Sequence, residues 1–268
     1  MRVGFLQMRP RFGDVEGNVD RVEEALRGTR DALVVLPELC TTGYLFVSRS
    51  ETAALAERAD GPTLDRFRSL ARRNRLVLCG GFAERQGRRL YNSAFTVTPA
   101  GKTHVYRKVH LFDREKLVFD VAPPRFEVFR ATARLGMMIC FDWVFPEACR
   151  SLAVQGADIV LHPSNLVLPY CQNAMTTRCL ENGVFAITCN RVGSESRGGK
   201  SLRFTGGSQV VDPRGRVLVR ASVDDEELRL VDIDPEAARD KGLTARNDLL
   251  ADRRPEAYRA VVARARRR

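Results

Sequence analysis

The sequence predicts an α/β fold in which strand-helix units are combined with β-hairpins. Short apolar runs rich in Val, Ile and Phe alternate with segments of helical periodicity along the 268 residues. Several pairs of these runs are joined by turns that contain Gly or Pro, which favours hairpins. Neither a long polar linker nor an internal repeat is evident. A single domain spanning residues 1–268 is therefore predicted.

Each predicted element has a local signal. Strands are predicted where apolar and β-branched residues lie between turn residues, at residues 3–8, 33–36, 76–82, 94–98, 103–107, 134–139, 159–162, 184–190, 208–211, 217–221 and 228–233. Helices are predicted at residues 18–30, 62–74, 146–155 and 172–182. Pro62 and Pro146 suit a first helical turn, because the missing amide proton would have no partner there. Hairpin turns are predicted at residues 85–87, 99–101 and 212–215.

The composition indicates a globular protein that needs no metal or organic cofactor. Hydrophobic residues make up 44% of the chain, enough to bury a large core. No apolar run approaches the roughly 20 residues needed to span a bilayer, and no signal peptide is evident, so a soluble cytoplasmic protein is predicted. Seven cysteines without paired spacing favour reduced thiols. Only three histidines occur and Cys-x-x-Cys is absent, so no metal site is predicted.

The net charge of +11 raises the alternative of a basic nucleic-acid or partner-binding protein. Acidic residues are interleaved with the basic ones, and the densest cationic run lies in a basic C-terminal tail at about residues 260–268. No nucleic-acid-binding motif accompanies the charge, so nucleic acid is not expected as the main ligand. The alternative predicts salt-sensitive binding that survives removal of the reactive thiol.

Cys140 is the candidate nucleophile. It follows the predicted strand 134–139 and precedes the helix that begins at Pro146, which places it on a strand-to-helix turn. A helix N-terminus favours a thiolate and leaves backbone N–H groups free for an anion. A buried structural thiol is an equal alternative from this pattern alone. Cys189, late in another apolar strand, is the chief rival.

Two charged residues are placed at predicted strand ends. Glu38 follows an apolar run and Pro37, where partial desolvation would raise its pKa toward that of a useful base. Lys108 ends another strand and is one of only five lysines among 44 basic residues. A solvated loop glutamate and an ordinary surface lysine are the alternative interpretations.

Three segments in this order resemble the nitrilase superfamily of carbon-nitrogen hydrolases. They are Leu36-Pro37-Glu38 with Thr42-Gly43-Tyr44, residues 106–112 with Glu115, and residues 136–143 with Phe145-Pro146-Glu147. Similar flanking segments at residues 162–165 and 178–182 extend the resemblance over essentially the full length. The similarity is greatest to small archaeal-type members described as aliphatic nitrilases or amidases.

This resemblance implies an α-β-β-α sandwich that dimerises into a four-layer stack. It also implies a triad of Glu38, Lys108 and Cys140, with Glu115 as a supporting glutamate. One position departs from the family pattern: many members carry arginine immediately before the Phe-Pro-Glu segment, where this chain has Val144. Pocket walls are predicted, with core packing as the alternative for the aromatic ones, at Tyr44, Phe119, Phe141, Trp143 and Asn165.

The predicted reaction is cleavage of a non-peptide carbon-nitrogen bond in a small amide or carbamoyl substrate. Glu38 would take the thiol proton, Lys108 and a backbone N–H would stabilise the developing negative charge, and a thioester would then be hydrolysed. The first alternative is an aliphatic nitrilase that releases a carboxylic acid and ammonia. The second is a Cys-His hydrolase that uses His110 or His162 with Cys140. The partners expected are the substrate and a second copy of the chain.

Overall fold

A computed structural model describes residues 1–263. Its strands are β1 (Arg2–Gln7), β2 (Ala32–Val35), β3 (Val77–Gln86), β4 (Arg89–Val97), β5 (Thr103–Arg107), β6 (Val128–Arg130), β7 (Arg134–Met137), β8 (Ile159–Pro163), β9 (Phe185–Cys189), β10 (Ser194–Arg197), β11 (Lys200–Arg203), β12 (Gln209–Val211), β13 (Val217–Arg220), β14 (Glu227–Asp232), β15 (Gly242–Thr244) and β16 (Asn247–Asp248). The α-helices are α1 (Val15–Ala25), α2 (Arg49–Leu55), α3 (Pro62–Asn74), α4 (Glu115–Val118), α5 (Pro146–Val154) and α6 (Cys171–Asn182). Short 3-10 helices span Cys140–Val144, Pro235–Ala238 and Pro255–Val262.

Two six-stranded mixed sheets form the centre of the fold. The first has the order β14-β1-β2-β3-β4-β5 and the second has the order β13-β12-β9-β8-β7-β6. In each sheet three neighbouring strands are parallel, β1-β2-β3 in one and β7-β8-β9 in the other, and antiparallel strands flank them. The two sheets therefore share one arrangement of parallel and antiparallel strands, although the sequence showed no repeat.

The sheets pack face to face, with helices on the outer faces. Leu33 and Val35 of β2 lie in a core cluster shared with the second sheet, and Val34 lies in the cluster beneath α1 and α3. This alternation follows from the two-residue period of a strand, and burial of both faces explains the unbroken apolar run. Buried residues of α5 and α6 join the second sheet. The α-β-β-α sandwich implied by the resemblance is confirmed.

The helix boundaries have identifiable causes. Helix α3 begins at Pro62, as predicted, and ends where Arg75 adopts the left-handed conformation. The prediction for residues 18–30 is wrong at both ends. Helix α1 starts earlier, because the Asp14 side chain accepts a hydrogen bond from the Gly17 N–H, and it already ends at Ala25. Helix α2, capped by Ser48, and the one-turn α4 were not predicted, since each is too short for a clear helical period.

The predicted hairpins are present. Gly87 (φ 58°), Gly101 (φ 81°) and Gly215 (φ 78°) supply the positive φ at the turns β3-β4, β4-β5 and β12-β13. The polar ends of β3 and β4 extend beyond the prediction. Strands β6, β10, β11, β15 and β16 were missed because they are short and half-exposed.

Among residues 1–263, no helix is both long enough and apolar enough to cross a membrane. Most of the predicted basic tail, at residues 264–268, lies outside the part of the chain that the structure describes.

Candidate active site

The carboxyl ends of several strands meet at one edge of the sandwich. Glu38 follows β2 and Lys108 follows β5, which runs parallel to β2 because two antiparallel pairings lie between β3 and β5. Cys140 follows β7 and Asn165 follows β8 in the second sheet. The Asn165 Nδ2 donates to the Glu38 carbonyl oxygen at 2.9 Å, which joins the two sheets at this edge.

The backbone around Glu38 packs closely against β3 at Gly81. The Gly81 N–H donates to the Pro37 carbonyl at 3.0 Å, and the Cys40 N–H donates to the Gly81 carbonyl at 2.9 Å. A Cβ on Gly81 would lie 2.6 Å from the Glu38 Cα, so only glycine allows this approach. This close backbone packing fixes the position of Glu38 against the first sheet.

The Lys108 ammonium lies between two carboxylates. Its Nζ donates to Glu38 Oε1 at 2.6 Å and to Glu115 Oε1 at 2.7 Å. The Lys108 and Glu38 side chains are 0% exposed and that of Glu115 is 4% exposed, so solvent does not screen these pairs. The predicted charged residues are therefore brought together. In residues 1–263 no His, Cys, Asp and Glu side chains are grouped to hold a metal ion.

Burial and charge shift the proton affinities of these groups. Burial raises the pKa of Glu38, Lys108 partly opposes this effect, and the Glu115 carboxylate reinforces it. The upward direction predicted for Glu38 is confirmed. Burial alone would lower the pKa of Lys108, but Glu115 and Glu38 outweigh it and raise that pKa above its ordinary value. The ammonium thus stays protonated and offsets the repulsion between the two acids.

All three charged groups influence the pKa of the Cys140 thiol. Burial raises its pKa well above the ordinary value, Glu38 and Glu115 raise it further, and Lys108 acts in the opposite direction. A backbone hydrogen bond from Asn165 also favours the thiolate. The thiolate-favouring effect predicted for the helix start is therefore outweighed in the resting site. The raised pKa favours the protonated thiol in the resting site.

Cys140 has a strained backbone conformation that neighbouring groups maintain. Its φ is +40°, which is uncommon for a residue other than glycine, and it begins a 3-10 helix. Asp142, buried two residues later, accepts from the Ile139 N–H at 2.9 Å and from the Tyr106 hydroxyl at 2.7 Å. His110 Nδ1 lies 2.7 Å from the other Asp142 oxygen. This network fixes the turn that carries the sulfur.

Glu115 is held by three donors from different segments. Its Oε1 accepts from the Tyr44 hydroxyl at 2.8 Å as well as from Lys108, and its Oε2 accepts from the Phe112 N–H at 3.1 Å. Tyr44, predicted as a pocket wall, therefore also orients a carboxylate. Tyr44 and Phe119 both line a cavity of about 50 Å³ beside Glu115.

The other predicted pocket residues have different surroundings. Asn165 lies at the centre, next to both Glu38 and Cys140. Phe141 packs against Phe112, with ring centroids 5.1 Å apart. Trp143 packs against the core cluster that the two sheets share with α5 and α6. Phe141 and Trp143 are half-buried beside the Cys140 turn, and neither lines the cavity next to Glu115.

Val144, which replaces the arginine of many family members, is 36% exposed on the segment before α5. The adjacent Trp143 carbonyl accepts from Arg178 Nε of α6 at 3.3 Å. An arginine from another helix thus contacts this segment.

Sequence reasoning missed two contributors to the site. Asn92 of β4 donates through Nδ2 to Glu38 Oε1 at 2.7 Å, while Glu38 Oε2 has no partner within residues 1–263. Glu195 accepts from the Tyr44 N–H at 3.1 Å and pairs with the fully buried Arg191. The available signal was a polar residue inside an apolar strand, as in Tyr91-Asn92-Ser93-Ala94.

The rival nucleophile and bases have other contacts. Cys189 Sγ donates to the Leu6 carbonyl at 3.2 Å inside the core, and burial raises the pKa of Cys189 well above its usual value. His162 Nε2 lies 3.0 Å from the Cys140 carbonyl oxygen, which only accepts, so that nitrogen carries the proton and is not a free base. A larger cavity of about 570 Å³, between β5 and β6, contacts none of Glu38, Lys108, Glu115 and Cys140.

Comparison with known proteins agrees with this geometry. The family model described as carbon-nitrogen hydrolase matches residues 2–241. A nitrilase from Pyrococcus abyssi is 40% identical over 263 residues, which are 96% of this chain and 99% of that protein. An (R)-stereoselective amidase from a Pseudomonas species is 36% identical over 260 residues, 95% of this chain and 92% of that protein.

A solved amidase from Nesterenkonia sp. AN1 has the same fold. It superposes with a TM-score of 0.78 at 27% identity, over 97% of this chain and 96% of that one. That structure is a glutamate-to-glutamine mutant with the acetamide moiety of fluoroacetamide added covalently at its active-site cysteine. The chain is thus a hydrolase by fold and by similarity. It belongs to the carbon-nitrogen hydrolase family, and the resemblance to the nitrilase superfamily is confirmed.

Proposed function

We propose that this chain hydrolyses small amide or carbamoyl substrates through a thioester on Cys140. The observation that carries the proposal is the buried Lys108 ammonium, 2.6 Å from Glu38 and 2.7 Å from Glu115. Among residues 1–263, Cys140 is the one thiol whose pKa all three of these charges shift. We assign Glu38, Lys108 and Cys140 as the catalytic triad and Glu115 as the supporting acid. The likeness to an (R)-stereoselective amidase supports an amide substrate.

In the first half of the reaction the Cys140 sulfur attacks the carbonyl carbon while its proton moves to Glu38. Glu38 Oε2 is suited to accept it, because Oε1 is already occupied by Lys108 and Asn92. The oxyanion that forms is stabilised by the Lys108 ammonium and by a backbone N–H beside Cys140. The carbon-nitrogen bond then breaks, Glu38 returns the proton to the departing ammonia or amine, and a thioester remains.

In the second half a water molecule loses a proton to Glu38 and attacks the thioester carbon. The carbon-sulfur bond breaks, the carboxylic acid leaves, and the thiolate recovers its proton from Glu38. Glu115 holds Lys108 in place through both halves by its 2.7 Å contact. The raised pKa of Glu38 suits a group that must both take and return a proton.

Intact mass spectrometry tests the assignment. The parent, Glu38→Gln and Cys140→Ala proteins are exposed briefly to a panel of amides, ureido acids and nitriles. We expect Glu38→Gln to accumulate an acyl adduct that peptide mapping places on Cys140, and Cys140→Ala to acquire none. An adduct on another cysteine, such as Cys189, would contradict the assignment.

A nitrile substrate is the second candidate, favoured by the 40% identity to a nitrilase over nearly the whole chain. The thiol would add to the nitrile carbon to give a thioimidate, which must take up water before ammonia leaves. Product analysis separates the two functions. Release of acid and ammonia from a nitrile at a rate matching or exceeding that of the corresponding amide would favour the nitrilase function.

We also propose a cytoplasmic homodimer built from a single domain of residues 1–268. The exposed apolar side chains of Leu180, Leu243, Tyr258 and Val261, near α5 and α6, support pairing with a second copy. Seven cysteines, all unpaired, suit a reducing compartment. Analytical ultracentrifugation tests the subunit number, and a sedimentation coefficient of a monomer at micromolar concentration would contradict the dimer.

A further inference from the structure

A concave surface outside the candidate active site is lined by three arginines. It is a cavity of about 410 Å³ between α2 and the turn that joins β3 to β4, here called the arginine cavity. Its polar lining side chains are Arg49, Ser50, Arg85 and Arg88, and among residues 1–263 no acidic side chain lines it. None of the proposed catalytic residues lines it, so it is separate from the proposed catalytic chemistry.

The arginine cavity carries an excess of positive charge even when the surrounding acids are counted. Asp120 lies behind it and pairs with both Arg49 and Arg89, at 2.6 Å and 3.0 Å. The acids of α2 and β3 are paired elsewhere, Glu51 with Arg197 and Glu84 with Arg107. Arg85 and Arg88 have no acidic partner within residues 1–263. Four arginines thus face one aspartate, which leaves three positive charges unmatched.

The guanidinium groups are held in place without using all of their donors. Arg49 Nη2 donates to Asp120 Oδ2 at 2.6 Å and to the Arg88 carbonyl at 3.2 Å, which ties α2 to the β3-β4 turn. Arg85 Nη2 donates to the Ala53 carbonyl of α2. The Arg88 guanidinium makes no hydrogen bond to another group of residues 1–263. A guanidinium has five N–H donors, so most of those on Arg85 and Arg88 are available to a ligand.

The type of ligand follows from the number and geometry of these donors. Guanidinium groups bind carboxylates and phosphates through paired parallel hydrogen bonds. A carboxylate carries one negative charge, whereas a phosphate monoester carries about −1.5 to −2 at pH 7. Two adjacent phosphoryl groups therefore match the unmatched charge of the cavity better than a carboxylate does. A cavity of about 410 Å³ also lies in the range of roughly 300–1,000 Å³ typical of small-molecule sites.

We infer that the arginine cavity binds a small molecule through two adjacent phosphoryl groups, as in a diphosphate. Arg49, Arg85 and Arg88 donate to the phosphoryl oxygens, and the Ser50 hydroxyl lies in the same wall as a further donor. The ligand is bound without reaction, so no bond in it is broken. The site is additional to the proposed hydrolase function and does not depend on it.

Isothermal titration calorimetry of the full chain with pyrophosphate tests this inference. The titration is run near pH 7 in about 0.15 M salt, where the Debye length is about 8 Å and distant surface charges are screened. We expect pyrophosphate to bind at a single site. Inorganic phosphate and malonate, a dicarboxylate, should bind at least about tenfold more weakly, because each forms fewer charged hydrogen bonds. If pyrophosphate does not bind at millimolar concentration, or malonate binds as tightly, the inference is overturned.

Replacement of Arg88 tests the assignment of the ligating side chains. Arg88→Gln should raise the Kd of pyrophosphate by roughly tenfold to a hundredfold, the effect of a lost hydrogen bond to a charged group. Arg88→Lys should retain part of the affinity, because it keeps the charge and loses the planar fork. Arg88 is exposed and unpaired, so the thermal unfolding midpoint of Arg88→Gln should stay within about 2 °C of the parent, which shows that the variant is folded.

Arg72→Gln is the matched control. Arg72 is also exposed and has no ion pair within residues 1–263, and its Nη2 lies near Gly101 in the β4-β5 turn, at the opposite end of β4 from the arginine cavity. It should leave the Kd of pyrophosphate within about twofold. An equal loss in Arg72→Gln, or an unchanged Kd in Arg88→Gln, means general attraction to a basic surface and rules out the site. Binding of a short single-stranded DNA without binding of pyrophosphate overturns the inference in favour of a nucleic-acid partner.

Discussion

Replacement of Asn92 by alanine tests how the proposed base is tuned. Asn92 Nδ2 donates to Glu38 Oε1 at 2.7 Å, and the same oxygen accepts from Lys108. The Asn92 Oδ1 has no partner among residues 1–263, so truncation removes one hydrogen bond to Glu38 and leaves no donor orphaned by the loss of that oxygen. The carboxylate keeps its bond to Lys108.

The direction of the effect follows from the pKa of Glu38. The Asn92 hydrogen bond stabilises the ionised carboxylate and so lowers this pKa, although burial keeps it raised overall. Loss of the bond raises it further. Because Glu38 accepts a proton only when it is ionised, activity present at high pH is lost as the pH falls through this pKa. The acid limb of the Asn92→Ala profile therefore moves to higher pH.

The magnitude follows from one hydrogen bond to a charged group. Such a bond contributes about 1.5–3 kcal/mol, and about 1.4 kcal/mol corresponds to a factor of ten. On the acid limb we expect kcat/KM to fall by roughly tenfold to a hundredfold, with a smaller deficit at higher pH. A loss of position alone would lower the rate equally at every pH.

The assay is kcat/KM for one amide measured across the acid limb and the plateau. Asn74→Ala is the control, because Asn74 is also buried and donates to the Leu26 carbonyl at 2.9 Å, far from the site. It should lose stability without moving the limb. If the acid limb of the Asn92→Ala pH profile stays in place or moves to lower pH, the reasoning is refuted.

Three further changes have expected outcomes. Lys108→Met should lower kcat by about a hundredfold to a thousandfold, because one preorganised donor is lost, and a loss below about tenfold would contradict its role. Arg191→Met should reduce the free energy of unfolding in urea by about 3–5 kcal/mol, since Glu195 is left buried and unpaired, and Glu195→Gln in addition should recover part of the loss. Burial lowers the pKa of His162 to about 4, so the unfolded chain, with a His pKa of about 6.5, binds more protons below neutral pH. Parent stability should therefore drop by about 2 kcal/mol more than that of His162→Gln between about pH 7 and pH 5.

The sequence predicted the elements whose signals are local. Helix α3 was predicted at its observed bounds because Pro62 marks its start and its apolar period is clear. The strand ends that carry Glu38, Lys108 and Cys140 were also predicted, since each lies where an apolar run meets turn residues. That these three ends share one edge came from the resemblance.

The missed features depend on contacts between distant segments. Asn92 and Glu38 are 54 positions apart, and nothing near either residue predicts their hydrogen bond. Tyr44 and Glu195 are 151 positions apart, and they meet because the β10-β11 hairpin returns to the site. The raised pKa of Cys140 was missed for the same reason. The helix start is visible in the local sequence. The burial and the nearby carboxylates that raise this pKa arise only when distant segments pack together.

The site depends on how the two sheets pack. The proposed base follows a strand of the first sheet and the proposed nucleophile follows a strand of the second, so neither sheet alone contains the complete proposed site. Asn165 fixes their relation, since its side chain binds the Glu38 carbonyl and its backbone N–H supports the Cys140 sulfur. A misplacement of about 1 Å between reacting groups costs about a hundredfold in rate. In the proposed mechanism the face-to-face packing of the sheets therefore contributes to catalysis, because it sets the distance between Glu38 and the Cys140 sulfur.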